Sequence, residues 1–175
     1  VESQLIDNET IFLQVETNKS HIRIAETART RIYQNGSRME LSYNLIKKPE
    51  YIAQDLSLRL EERKAVTVEK IVSLYTSKDN AVSESGIESR KEISRAAGFD
   101  SLLERHILSW SHLWKRGQIL MNDGERVSLI VNLHIFHLFQ TVSPHSIDHD
   151  FGVPPRGLHG EAYRGHILWD ELFIF

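Results

Sequence analysis

The chain has no cysteine among its 175 residues. Without thiols it can form neither a disulfide framework nor a thiolate metal site, and it has no sulfur nucleophile. That composition fits a cytoplasmic protein. An excess of either charge is also missing: 21 Lys and Arg stand against 24 Asp and Glu, a formal net charge of −3. The basic residues are scattered rather than gathered into a stripe, so the electrostatic footprint of a nucleic-acid binder is absent and no nucleic-acid partner is expected. No apolar run approaches the roughly 20 residues that cross a bilayer. The opening VESQLIDNET has neither the basic nor the apolar region of a signal peptide, so no membrane partner is expected either. Position 1 is not Met, which agrees with a start inside a longer polypeptide and equally with N-terminal processing. What is present is 41% hydrophobic and 26% charged residues, enough for one ordinary core.

The first part of the chain alternates with period two. Ile11, Leu13 and Val15 alternate with Phe12, Gln14 and Glu16, and His21-Ile22-Arg23-Ile24 continues the pattern, which predicts strands. Asn18-Lys19-Ser20 and Gln34-Asn35-Gly36-Ser37 read as turns, the second with the Asn-Gly pair that favours positive φ. Arg38 to Ile46 and Ala65 to Tyr75 are expected as later strands of an antiparallel set. From Ser83 to Ala97 the pattern is that of a weakly amphipathic helix stopped at Gly98. Phe99, Leu102, Leu103, His106, Ile107, Trp110, Leu113 and Trp114 then recur at three- and four-residue spacing, giving a second helix with Asp100 as N-cap and Gly117 as its end. A third helix is predicted from Asp123 to Val142. It is apolar on most of its circumference, which is the mark of a helix packed between neighbours. A loop of more than twenty residues with Pro144, Pro154 and Pro155 follows, and loops of that length in compact domains are often functional.

The residues after Val142 hold most of the chemistry. GLHGEAYRGHILWDELFIF, from Gly157 to Phe175, combines glycines, two imidazoles, carboxylates and a Trp-Asp pair, then ends on four apolar residues. Such an apolar end would leave large side chains in water, so the chain is expected to be a fragment. Histidines are frequent from His106 onward, with His134 and His137 three apart and His145, Asp148, His149 and Asp150 close in sequence. No familiar zinc spacing is present, so core or loop histidines are the reading preferred over a metal site. Glu161, Asp170 and Glu171 could supply a pair of carboxyl groups for glycosidic cleavage, although a helix N-terminus complemented by acids is the simpler reading. Trp169 followed by Asp170 points more directly to sugar. An aromatic face packs against the C–H face of a pyranose while a carboxylate accepts hydrogen bonds from vicinal hydroxyls. Gly157, Gly160 and Gly165 suggest backbone with unusual φ or close approach, and they do not form a phosphate loop.

The stretch GVPPRGLHGEAYRGHILWDELFIF from Gly152 resembles the signature loop and helix start of the family 65 glycoside hydrolases, which include maltose, trehalose and kojibiose phosphorylases and acid trehalases. EKIVSLYTSKD (Glu69 to Asp79), HILSWSHLW (His106 to Trp114) and NLHIFHLFQTVSP (Asn132 to Pro144) are similar to family segments in the same order. The resemblance covers the chain from about Val66 onward. It implies an α+β chain: an antiparallel β-sandwich remnant (residues 1–80), linker helices (81–122), and the first helices of an (α/α)6 barrel (123–175). It also implies that Trp169 and Asp170 hold the glucosyl unit being transferred, with Tyr163, Arg164 and His166 as further substrate contacts.

By the same resemblance the general-acid Glu and the phosphate-holding loop lie beyond Phe175, so none of these residues is catalytic. No cofactor or metal is implied; inorganic phosphate would be a co-substrate of a phosphorylase, the partner a glucosyl disaccharide, and the parent protein is compatible with a homodimer. Many members read Phe-Trp-Asp-Thr-Glu where this chain has Leu168-Trp169-Asp170-Glu171-Leu172, which marks a variant branch. Inverting phosphorolysis, trehalase-like hydrolysis, and a non-catalytic carbohydrate-binding or interaction module all stay open from the residues alone.

Overall fold

The computed structural model describes residues 1–80, 82–122, 125–142, 152–154, 156–158, 160, 163 and 165–169. The element order is β1 (Glu2–Asp7), β2 (Thr10–Glu16), β3 (Arg23–Gln34), β4 (Ser37–Met39), β5 (Asn44–Lys48), β6 (Tyr51–Asp55), β7 (Val66–Thr76), α1 (Ser85–Arg95), α2 (Phe99–Gly117) and α3 (Glu125–Thr141). This is the α+β combination of an antiparallel sheet followed by helices. The chain divides into two units, Val1–Leu103 and Glu104–Phe175.

In the first unit β3 is the central strand. β7 pairs with one edge of it from Ile24 to Gln34, while β2 and β4 share the other edge, and β1 pairs with β2. Phe12, Thr27 and Ser73 are cross-strand neighbours and form a row on one face of this sheet. α1 lies on that face. Its Ser85, Ser89 and Ile93 recur at four-residue spacing and are all buried, so the stripe that meets the sheet is mostly small and polar. Ser89 Oγ donates to the Ser73 carbonyl and accepts from Thr27 Oγ1. Phe12, Ala25, Ile71 and Ile93 supply the apolar part of the core; full burial of a Phe or Ile side chain stabilises by about 1.5–3 kcal/mol. On the reverse face Ala28 and Ile32 are buried, whereas Val68, Val72 and Leu74 of β7 are exposed.

The expected turn at Gln34 to Ser37 is present. Asn35 and Gly36 both have positive φ, 50° and 80°, as a two-residue hairpin loop of the primed type requires. The expected strand Arg38 to Ile46 is divided: β4 stays with β3, and β5 pairs with β6 in a separate two-stranded sheet. Neither β1 nor β6 was expected from the sequence pattern. The β5–β6 hairpin packs against β1 and β2, with Gln54 Nε2 donating to the Asn8 carbonyl at 2.9 Å and Lys47 Nζ to that of Ser3 at 2.7 Å. Tyr43, just before this hairpin, donates to the Thr30 carbonyl, and burial raises its phenol above the usual range. Glu9 ties the β1–β2 turn to the rest by accepting from Arg31 (2.9 Å) and Arg38, and that hydrogen bond raises the Arg31 guanidinium pKa further.

In the second unit α2 and α3 meet through rings. Trp110 lies 5.1 Å from Phe136 and Trp114 5.7 Å from Phe139, centroid to centroid. Gly117 ends α2 as expected, and the structure adds a steric reason: a Cβ there would overlap Cζ of Phe139. Leu129, Ile130, Leu133 and Leu138 of α3 are exposed to an extent unusual for a helix so apolar. No described helix is long and apolar enough to cross a membrane.

Replacing Gly117 by Ala is predicted to destabilise the α2–α3 pair, because overpacking costs about 1–3 kcal/mol and outweighs a helix-propensity gain of about 1 kcal/mol. Denaturant unfolding followed by tryptophan fluorescence checks this. An unchanged midpoint would contradict the close approach.

Candidate functional site

Among the described residues of the segment after α3 there are two turns. Gly157 N donates to the Pro154 carbonyl at 3.1 Å, and His166 N donates to the Tyr163 carbonyl at 2.8 Å. A third backbone bond, Gly152 N to the Gly165 carbonyl at 2.8 Å, joins residues thirteen apart in sequence and braces the loop across its base. Gly157 and Gly165 have φ of 68° and 80°, in the left-handed region that glycine enters without steric cost. Gly165 is the third residue of the Tyr163–His166 turn, a position where a positive φ favours glycine. Tyr163 also has positive φ, 55°, which is uncommon for a residue with a large side chain. Of the three glycines expected to need special backbone, Gly160 differs. Its constraint is the neighbouring Arg156 side chain, 3.2 Å from where its Cβ would be.

This bracing places the expected contact residues as follows. Tyr163 and His166 share one turn, and the His166 ring nitrogen Nδ1 also lies against the Tyr163 carbonyl. The Tyr163 side chain is exposed. Trp169 follows three residues after His166 and is 77% exposed. An accessible indole has a flat apolar face, and a phenol and an imidazole can exchange hydrogen bonds with hydroxyls. Asp170 and Arg164 lie outside the described residues. The same holds for Glu161 and Glu171, and for His145, Asp148, His149 and Asp150. Among the described residues no group of three or more His, Asp or Glu side chains could hold a metal ion. His137, three residues after His134 and read from the sequence as a core or loop histidine in preference to a metal ligand, has its Nδ1 3.3 Å from Gln140 Oε1.

A concavity away from this loop was not anticipated. An open groove of about 730 Å³ is lined by Trp114, Leu120, Met121, Glu125, Leu129 and Asn132, among others. Its polar groups are largely occupied in holding the α2–α3 connection: the Asn132 amide donates to the Ile119 and Ser128 carbonyls, and Ser128 Oγ accepts from Met121 N. The sequence signal for this region was the ring spacing His106, Trp110, Trp114, which was read as a packing stripe. The structure uses it for packing.

Comparison with known proteins gives the following. The glycosyl hydrolase family 65 N-terminal domain matches over residues 1–113, and the family 65 central catalytic domain over residues 132–175. An uncharacterized glycosyl hydrolase of Mycobacterium tuberculosis is 35% identical over 166 residues, 95% of this chain and 12% of that protein. A kojibiose phosphorylase of Caldanaerobacter subterraneus subsp. tengcongensis is 30% identical over 181 residues, 99% of this chain and 23% of that enzyme. A trehalose 6-phosphate phosphorylase of Lactococcus lactis is 29% identical over 128 residues, covering 71% of this chain and 16% of the relative. The chain therefore spans less than a quarter of the length of each of these relatives.

Gly165→Ala is predicted to open the loop, since forcing a side chain into the left-handed region costs about 1–2 kcal/mol. The expected readout is limited proteolysis between Tyr163 and Trp169 that runs about tenfold faster than in the parent sequence, as that energy implies. Cleavage at the parental rate would contradict the bracing role assigned to the Gly152–Gly165 bond.

Proposed function

Because the chain belongs to glycosyl hydrolase family 65, we propose that its parent protein cleaves an α-linked glucosyl disaccharide with inversion, using inorganic phosphate as the attacking co-substrate. The observation that carries this reading is the exposed Trp169 at the end of the braced loop, within the stretch matched by the family's catalytic domain. Trp169 packs on the C–H face of the glucosyl ring, and Asp170 accepts hydrogen bonds from its hydroxyls. Tyr163, Arg164 and His166 make further polar contacts. These residues position the sugar, and their contribution is proximity and tighter binding of the transition state. The proton for the leaving oxygen comes from a Glu outside these residues, and phosphate attacks the opposite face of an oxocarbenium-like transition state.

The names of two relatives support phosphorolysis and suggest kojibiose and trehalose 6-phosphate as first substrates to try. A hydrolytic variant has one observation in its favour: the 35% identical relative is named a glycosyl hydrolase and not a phosphorylase. We assign residues 1–80 to the end of an N-terminal sandwich, 81–122 to a helical linker and 123–175 to the start of the catalytic barrel, and we propose a cytoplasmic location, with which the lack of cysteine is compatible.

In the full-length protein, disaccharide cleavage is expected to require phosphate, and Asp170→Ala is expected to lower kcat/KM by about 10- to 100-fold, as the loss of hydrogen bonds to a charged group implies. Cleavage independent of phosphate would favour the hydrolase. An Asp170→Ala variant with kcat/KM unchanged for every active disaccharide would remove the residue from the site.

A further inference from the structure

The sequence pattern gives α2 a local cap at Asp100, but the helix begins one residue earlier, at Phe99. Leu102 N already donates to the Gly98 carbonyl, so Gly98 occupies the cap position and has no side chain to offer. The acceptor comes from the sheet. Glu69 of β7 takes the Phe99 amide on Oε2 at 2.7 Å, while its Oε1 lies 3.5 Å from the Tyr33 hydroxyl that donates to it. A Cβ on Gly98 would stand 3.2 Å from the same carboxylate oxygen, which makes the residue fit the approach.

The turn that precedes α2 is held from the other side. Arg29 of β3, 6% exposed, donates to the carbonyls of Ile93 (2.9 Å) and Ala96 (3.0 Å), with Ala97 at 3.4 Å. These are the carbonyls at the C-terminal end of α1, where a cation is favoured, and the Phe99 amide is at the N-terminal end of α2, where an anion is favoured. Arg29 pairs with Ile71 and Arg31 with Glu69 across the β3–β7 ladder, so Arg29 and Glu69 are diagonal neighbours on the face that carries α1. Such neighbours are roughly 7–8 Å apart at the backbone, a spacing suited to a turn as short as Ala96–Gly98.

Apolar packing does not do this work at the root of α2. The helix has no buried residue, and Phe99 is 57% exposed. We infer that Arg29 and Glu69 form a two-charge clasp that fixes the Ala96–Phe99 turn, and with it the first turn of α2, on the sheet; without the clasp this turn becomes a hinge. The inference does not depend on the proposed activity.

Hydrogen exchange of the full-length protein, read by mass spectrometry, tests it. Glu69→Leu is expected to speed exchange over Gly98–Leu103 by about fivefold, the size of a lost cap, with β3 and β7 unaffected. Glu69→Gln keeps an acceptor oxygen and is expected to fall between the two. Arg29→Met is expected to speed exchange at Ile93–Ala97 as well. If that buried substitution prevents folding, the half-buried Glu69 series decides alone. Exchange over Gly98–Leu103 that is unchanged or slower in Glu69→Leu, or that rises equally throughout the sheet, overturns the clasp.

Discussion

The first unit depends on how closely α1 approaches the sheet. The contact is made by small residues on both sides, Ala25, Thr27 and Ser73 below and Ser85, Gly86 and Ser89 above. Phe12, Ile71 and Ile93 give this contact its apolar area, and the Ser89 and Thr27 hydroxyls satisfy one another there, whereas Ser73 Oγ and Ser85 Oγ are buried without a hydrogen-bond partner, at a cost of about 1–3 kcal/mol each. A Cβ on Gly86 would meet Phe12 Cζ at 3.1 Å and Gln14 Oε1 at 2.5 Å, so the helix could not move much nearer. Once α1 is seated, its C-terminal carbonyls fall over Arg29, and the chain turns within reach of Glu69. The docking of one short helix thus settles where the next one starts.

What the sequence made legible follows from the range of each interaction. The Asn35-Gly36 turn, the alternation in β2 and β3 and the ring spacing in α2 are local patterns, and they survive into the structure. The Asp100 cap failed because the true acceptor, Glu69, is 30 residues away in sequence and on another element. β1 escaped notice because Leu5 and Ile6 are both largely exposed, so the segment has no clean alternation to reveal it. The division of Arg38 to Ile46 into two strands has no Gly or Pro to announce it; it arises because the chain leaves β3 after Met39 to form its own hairpin with β6. Gly117 was correctly read as a helix end, but Phe139, 22 positions further on, supplies a constraint no local rule could contain.

The candidate site shows the same division. Positive φ at Gly157 and Gly165 follows from residue type, and the structure has it. The Gly152–Gly165 bond that braces the loop is non-local and was invisible in the pattern. Trp169 and Asp170 could be singled out by composition only as a weak sugar-binding pair. Resemblance to a family implies a role for them, and that role stands here as a proposal. The exposed apolar residues of α3, together with the exposed Val68, Val72 and Leu74 of β7, are surfaces that this chain's described residues leave uncovered.

The loop after α3 is proposed to form one wall of a glucosyl subsite. A crystal structure of the full-length protein with a bound glucosyl disaccharide measures it most directly. The account predicts the Trp169 ring in van der Waals contact with the C–H face of the glucosyl unit and the Asp170 carboxylate within hydrogen-bond distance of its hydroxyls. A disaccharide bound elsewhere, with Trp169 and Asp170 touching no sugar, would contradict it.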